Sequence, residues 1–385
     1  MQSEFCLHNA NVLTGFSVMP KCAVHIKHGK IIDVYNEERF KQKKFGKNIK
    51  VVDVNGAYIM PGFIDTHIHG MGGYGTDDGK PESILRMSEV LAEYGVTSFI
   101  PTCNAAKEEK LLQNIDAIVS AMGKEKGARI LGVHLEGPFL SPERIGAQMA
   151  DGLSKVDLPY MKRLYKAAKG HLINMTVAPE LKGMRELALY CNDKGIVLQA
   201  GHTNATYDQM MEGMQANIMH VTHLFNAMRP LHHREPGVVG ATLIHSELSC
   251  EIIGDGVHVN PNLVNLLLKC KPLSQIVMIT DALYPAKTDL SMTPDLYLDK
   301  CFYRKSDNVM NGSAISMLDG FRNLVSWGIP IEKAVRMTST NPAQIMKQKN
   351  IGLLVPGNDA DIIVLDKDLE LIYIIIKGEL KKGNI

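Results

Sequence analysis

The hydrophobic pattern changes character near the start of the chain and again near its end. Over residues 1–60 apolar and polar positions alternate, the period of a half-buried strand. CAVHIKHGKIIDVYN alternates around His28-Gly29-Lys30, which predicts a hairpin, and VVDVNGAYIMPGF predicts two more short strands around Asn55-Gly56. From Gly62 the alternation stops. Short apolar runs are now separated by segments of helical spacing, such as 81–94 and 108–122. Eight runs read as strands: 63–67, 97–101, 130–135, 173–178, 197–200, 218–222, 251–254 and 276–280. Strands alternating with helices predict an α/β fold with a parallel sheet, and eight units predict a closed (β/α)8 TIM-like barrel. Residues 284–312 break the rhythm and are too long for an ordinary loop, so a lid or an inserted hairpin is expected there. Helices should follow over 315–327 and 331–338. The tail ADIIVLDKDLELIYIIIKGELKKGN returns to strands around Asp366-Lys367-Asp368. The expected organisation is a barrel over 61–346 and a small β-sandwich domain built from both chain ends, 1–60 and 347–385.

Composition narrows the class. The chain has 385 residues, 45% of them hydrophobic and 22% charged, with a formal net charge of +1. These are values of a globular protein in water, and they give no global field for nucleic acid or an anionic membrane. An acidic substrate must be held by local groups. No apolar stretch approaches 18 residues, and the start lacks a basic region followed by a long apolar run, so no membrane association is expected. The seven cysteines are far apart and contain no CxxC. That pattern argues against a disulfide framework or a thiolate metal site and for a cytoplasmic location.

The chemistry gathers at the predicted strand ends. The first ends in Asp65-Thr66-His67-Ile68-His69, and residues two apart on a strand share a face. His67 and His69 thus present two imidazoles together, as a zinc- or iron-type cation requires. The third run ends in His134-Leu135-Glu136, the fifth in His202 and the sixth in His223. The seventh leads to Asp255-Gly256-Val257-His258, and the eighth ends in Asp281. A barrel brings these ends to one rim. Glu136, His202 and His223 form a carboxylate-plus-two-imidazole set that leaves a coordination position open. His67 and His69 would complete it or hold a second ion, and His134 would support from behind. Asp281 is the candidate base and His258 the candidate donor to a developing oxyanion.

The chain resembles the amidohydrolase superfamily, and within it the N-acetylglucosamine-6-phosphate deacetylase family. PGFIDTHIHG, GVHLEGPF, GHTNAT, THLFNAMRPLHHREPG, DGVHVNP, ITDA, NPAQIM and GNDADIIVLD carry the resemblance, from Pro61 to Asp366. It implies metal-dependent removal of the acetyl group from N-acetyl-D-glucosamine 6-phosphate, with Glu136, His202 and His223 as ligands, Asp281 as acid/base and His258 polarising the carbonyl. It implies that Ala147 and Gln148 line the sugar, that Asn226, Ala227 and Arg234 hold the phosphate, and that Asp255 to His258 and Met310-Asn311-Gly312 touch the substrate. The guanidinium of Arg234 is a fork suited to phosphate. The resemblance further implies a homodimer and one or two divalent ions, zinc foremost, with iron, manganese or cobalt as alternatives. Gln148 stands where some members carry histidine, and Met310-Asn311 replaces a more usual Leu-Ala. Both changes lie near the sugar, so N-acetylgalactosamine 6-phosphate is the alternative substrate. A non-catalytic assembly or regulatory relative is the alternative of a different class, and it should have lost ligands that are all present here.

Overall fold

In the computed structural model, which describes residues 4–47, 49–289 and 293–383, all eight expected runs are strands of one parallel sheet. They are Phe63–Ile68, Val96–Cys103, a third split into Arg129–Ile130 and Val133–Glu136, then Leu172–Val177, Val197–Ala200, Ile218–Val221, Ser249–Ile253 and Ile276–Ile279. Each pairs in parallel with its neighbour around the barrel. Helices cover the outside, and the strands are buried almost throughout, which is why they read as apolar runs without alternation. The first and eighth strands meet at the rim. There the Asp281 amide donates to the His67 carbonyl at 2.9 Å and the His69 amide to the Ala282 carbonyl at 3.0 Å. Lower down, Thr280 Oγ1 donates to Asp65 Oδ2 at 2.6 Å. The residues that close the barrel are thus the candidate site residues and their neighbours.

The outer helices follow their sequence signals. Pro81–Glu93 starts on proline and buries Ile84, Met87 and Leu91, a three-to-four-residue spacing that forms one face. Tyr207–Gln215 and Met317–Ser326 begin with reciprocal caps, Thr206 with Gln209 and Ser316 with Asp319. The helix expected to end at 338 instead runs through a π-turn, Arg336–Thr340, into Asn341–Ile345. Asn341 holds that turn against the eighth strand, donating to the carbonyls of Leu273 and Ile276 at 2.7 and 2.8 Å.

Both chain ends share a second, eight-stranded sheet. Val18–Lys27 and Lys30–Asn36 form the expected hairpin, with His28 and Gly29 at φ 52° and 76°. Asn55-Gly56 does not reverse the chain. Lys50–Asp53 and Tyr58–Pro61 both run parallel to Phe5–Leu13, so the turn is a detour along one edge. From the tail, Ile362–Leu365 pairs antiparallel with Tyr58–Pro61, and Leu371–Ile376 and Glu379–Lys382 follow. The sheet curls until its arms meet, where Ile31 and Gly357–Asn358 exchange backbone hydrogen bonds of 2.9 Å. Its own core holds Leu7, Val24, Ile26, Ile59, Ile362 and Ile375. Arg129 of the third barrel strand ties the two units together through ion pairs to Asp359, at 2.8 Å, and to Asp361.

Residues 284–312 contain the inserted hairpin, Leu296–Asp299 with Cys301–Arg304. Residues 290–292 of this section, and 1–3, 48, 384 and 385 of the expected β domain, lie outside the described residues.

Candidate metal centre

Three of the expected metal-ligand and acid/base residues take a backbone conformation that side chains rarely adopt. His202, His223 and Asp281 have φ of 45°, 28° and 49°, each directly after a buried strand or its next residue. Such a residue costs about 1–3 kcal/mol and persists where the surroundings impose it. Here it ends the strand and turns the side chain into the barrel mouth.

The side chains converge as two sets, His67, His69 and Asp281, and Glu136, His202 and His223. Within each set the ligand atoms lie within 4.8 Å of one another. Glu136 stands between them. Its Oε1 is 2.9 Å from His223 Nε2, 3.1 Å from His202 Nε2 and 3.5 Å from His67 Nε2, while its Oε2 is 3.2 Å from His69 Nε2. Asp281 Oδ1 lies 3.3 and 3.5 Å from the Nε2 atoms of His69 and His67.

Hydrogen bonds behind the rings set which nitrogen faces the centre with a lone pair. His202 Nδ1 is 2.9 Å from the carbonyl of Ile145, which accepts only, so Nδ1 carries the hydrogen. His67 Nδ1 is 3.0 Å from Glu251 Oε2, with the same consequence. The buried Nε2 of His67 has no hydrogen-bond partner among the described residues. His202 Nε2 and His223 Nε2 lie only 3.2 Å apart, beside a carboxylate oxygen. The nitrogen and oxygen atoms gathered here fit a divalent cation.

The charges agree. Burial pushes the Glu136 carboxyl up, but the His67 and His202 imidazoles outweigh it and hold the group well below the usual carboxylate range. Asp281 is also held low, because His67 and His69 outweigh its burial. Burial holds His134 well below the ordinary imidazole value, helped by His67. That ring spends Nδ1 on Thr102 Oγ1 at 3.0 Å and Nε2 on Thr176 Oγ1 at 2.9 Å, and sets its edge against His67. It has no nitrogen free for an ion.

The other expected residues surround this centre unevenly. Gln148 sits closer to it than expected. Its amide donates to Glu136 Oε2 at 2.6 Å and to Asn104 Oδ1 at 3.0 Å, while its oxygen accepts from the Ala105 amide at 2.8 Å. The Ala147 carbonyl accepts from Arg304 of the inserted hairpin at 2.9 Å. Asn226 folds back onto the carbonyls of His223 and Leu224, and Ala227 has φ 47°. Arg234 is exposed, with His233 beside its guanidinium at 3.0 Å and no carboxylate partner among the described residues. Asp255 accepts from the amides of Val257 and His258, and its Oδ2 is 2.5 Å from His258 Nδ1. The other nitrogen of His258 is 2.7 Å from the Asn311 carbonyl. Gly312 is required by close approach, since a Cβ there would lie 2.2 Å from the Asp281 carbonyl oxygen.

Glu251 escaped the sequence reading, which saw only the start of an apolar strand. It is fully buried in the barrel. The available signal was an unpaired carboxylate inside the run CEIIG, which a buried strand tolerates only with partners.

A model of the amidohydrolase family matches residues 58–385. The N-acetylglucosamine-6-phosphate deacetylase of Bacillus subtilis (strain 168) is 32% identical, over 99% of this chain and 98% of its own. The N-acetylgalactosamine-6-phosphate deacetylase of Escherichia coli O157:H7 is 29% identical, over 86% of this chain and 90% of its own. Among solved structures, a mutant N-acetyl-D-glucosamine-6-phosphate deacetylase from Mycobacterium smegmatis, in complex with N-acetyl-D-glucosamine-6-phosphate, superposes with a TM-score of 0.90 at 28% identity, covering 99% of this chain and 100% of that one.

Proposed function

The chain belongs to the amidohydrolase family, and from that premise we propose that it hydrolyses the N-acetyl group of N-acetyl-D-glucosamine 6-phosphate, giving D-glucosamine 6-phosphate and acetate in amino-sugar catabolism. The observation that carries this reading is the convergence of Glu136, His202, His223 and Asp281 at one barrel mouth in a chain similar to such deacetylases along nearly its whole length.

Glu136, His202 and His223 would hold a divalent cation, and His67 and His69 would complete that site or hold a second ion. When bound, the cation supplies Lewis acidity toward the amide carbonyl and makes water more acidic. Zinc is the foremost candidate, since two imidazoles and a carboxylate suit it. Asp281 accepts the proton of the attacking water and passes it to the departing amine nitrogen. His258, oriented by Asp255, donates to the carbonyl oxygen as charge grows there, exchanging its contact with the Asn311 carbonyl for the substrate. Asn226, Ala227 and Arg234 receive the phosphate. Ala147, Gln148, Asp255 to His258 and Met310 to Gly312 enclose the sugar. The barrel over 61–346 carries the chemistry, and the discontinuous unit of 1–60 and 347–385 supports it. No helix of the described residues is long and apolar enough to cross a membrane, and we place the enzyme in the cytoplasm as a homodimer.

One second reading has an observation behind it. The relative from Escherichia coli O157:H7 is named for the galacto sugar, and the inserted hairpin reaches the sugar loop through Arg304. Acetate release from the gluco and galacto 6-phosphates, measured side by side on metal-loaded and chelator-treated protein, decides. Fast, metal-dependent release from the gluco sugar is expected. Release from the galacto sugar alone would move the substrate and keep the chemistry, and release from neither would overturn the reading.

A further inference from the structure

Among the described residues, Glu251 is the one carboxylate in the barrel interior that touches both sets of candidate ligands without belonging to either. Its Oε2 lies 3.0 Å from His67 Nδ1 and accepts from the His223 amide at 3.4 Å, and its Oε1 accepts from Thr66 Oγ1 at 3.4 Å. His220 Nε2 stands 3.6 Å from Oε1. The side chain is fully buried, in the middle of the seventh strand. A carboxylate placed there has a large desolvation cost, which only its partners offset.

We infer that Glu251 is a positioning residue that commits His67 to a second divalent cation, so that this chain takes two ions, one in each set. The geometry decides which nitrogen of His67 is a ligand. An acceptor at Nδ1 fixes the hydrogen there and leaves the Nε2 lone pair facing Glu136 and Asp281. The same carboxylate holds the backbone amide of His223, so the two ligand sets share one anchor. Without it the His67 ring can carry its hydrogen on either nitrogen, and the tautomer with Nε2–H has no lone pair for a metal. The inference rests on reading the cluster as a metal centre and is independent of the substrate.

Glu251→Gln is the direct test, because it keeps the shape and places an amide donor within reach of Nδ1. Metal content per chain is measured by elemental analysis after zinc loading and desalting, with cobalt absorption as a second readout. The parent should hold two equivalents. The variant should hold one tightly, with affinity for the other reduced roughly 10- to 100-fold, while Glu251→Asp recovers part of the loss. A parent with one equivalent, or a variant with two at unchanged affinity, would overturn the inference. A measurement on the zinc-loaded parent removes any dependence on the variant's folding: nitrogen-15 histidine spectra should show His67 protonated at Nδ1. A hydrogen on Nε2 would overturn it. No substrate is used, so failure of the deacetylase assignment would leave these results untouched.

Discussion

The Nε2 atoms of His202 and His223 lie 3.2 Å apart, with Glu136 Oε1 within 3.1 Å of both. The His202 lone pair and the Glu136 oxygen both face His223 Nε2, a donor set suited to a divalent cation. Chelator treatment should therefore abolish turnover and lower the melting temperature. Readdition of metal should restore both, adding about 4 kcal/mol at a thousandfold excess over Kd. Differential scanning calorimetry at several zinc concentrations measures this. A melting temperature indifferent to zinc would contradict the assignment of the cluster.

Asp281 faces His67 and His69 but lies outside the Glu136, His202 and His223 set. Asp281→Asn should lower kcat by at least ~100-fold and leave the ion held by Glu136, His202 and His223 in place. Parallel kinetics and metal analysis check both halves. Near-normal turnover would remove Asp281 from its role.

Arg234 extends to solvent a guanidinium that has His233 beside it and no carboxylate partner among the described residues. Arg234→Ala should raise KM for the phosphorylated sugar roughly 10- to 100-fold, the scale of one or two charge-assisted hydrogen bonds. The unphosphorylated sugar should be affected far less. Equal losses for both would show that Arg234 does not read the phosphate.

His258 is raised above the ordinary imidazole value: burial pulls it down, and the Asp255 carboxylate and the Asn311 carbonyl more than reverse that. A raised folded pKa means that the pair's contribution to stability is complete below the unfolded value of about 6.5. It fades as the pH climbs through the folded value. Asp255→Asn should lower the His258 pKa measured by NMR titration and flatten the fall in stability above neutrality. An unchanged His258 titration would rule out Asp255 as the cause.

Arg129 joins the barrel to the curled sheet through Asp359 and Asp361, and Asp361 is almost fully buried. Arg129→Ala should cost about 3–5 kcal/mol, because it leaves a buried carboxylate without its partner. Urea unfolding of the parent and variant gives the difference. A loss under ~1 kcal/mol would place the junction with surface ion pairs.

What was legible in the sequence followed from periodicity and from chemistry at the edges of elements. Apolar runs separated by helical spacing marked all eight barrel strands, because strands buried on both faces leave no ambiguity about what surrounds them. His67, His69, Glu136, His202, His223 and Asp281 were legible because each stands where an apolar run stops. Glu251 was not, since it stands where an apolar run begins rather than where one stops, and its partner His67 is distant in sequence. The reach of Gln148 to Glu136 depends on how the loop after the third strand folds back. The two strands around Asn55-Gly56 were legible, but not that both run along Phe5–Leu13, because a turn signal fixes local dihedral angles and not which strand receives the chain afterwards.

The pairing of Ile59 with Val364 in the sheet of the two chain ends also orders events during synthesis. At ~5–20 residues per second, the roughly 300 residues between them take on the order of 15–60 seconds to emerge. Throughout that time Tyr58–Pro61 has one edge without its neighbour, and Leu7, Ala10 and Val12 lack the tail residues Ile362, Val364 and Ile375 of their shared core. The barrel rim, closed by the His67 and Asp281 backbones, can form first. A chain ending at Asp366 would keep every ligand and yet lose Leu371–Ile376 and Glu379–Lys382. Its failure would be one of sticky, half-made strands on the ribosome's product rather than of chemistry.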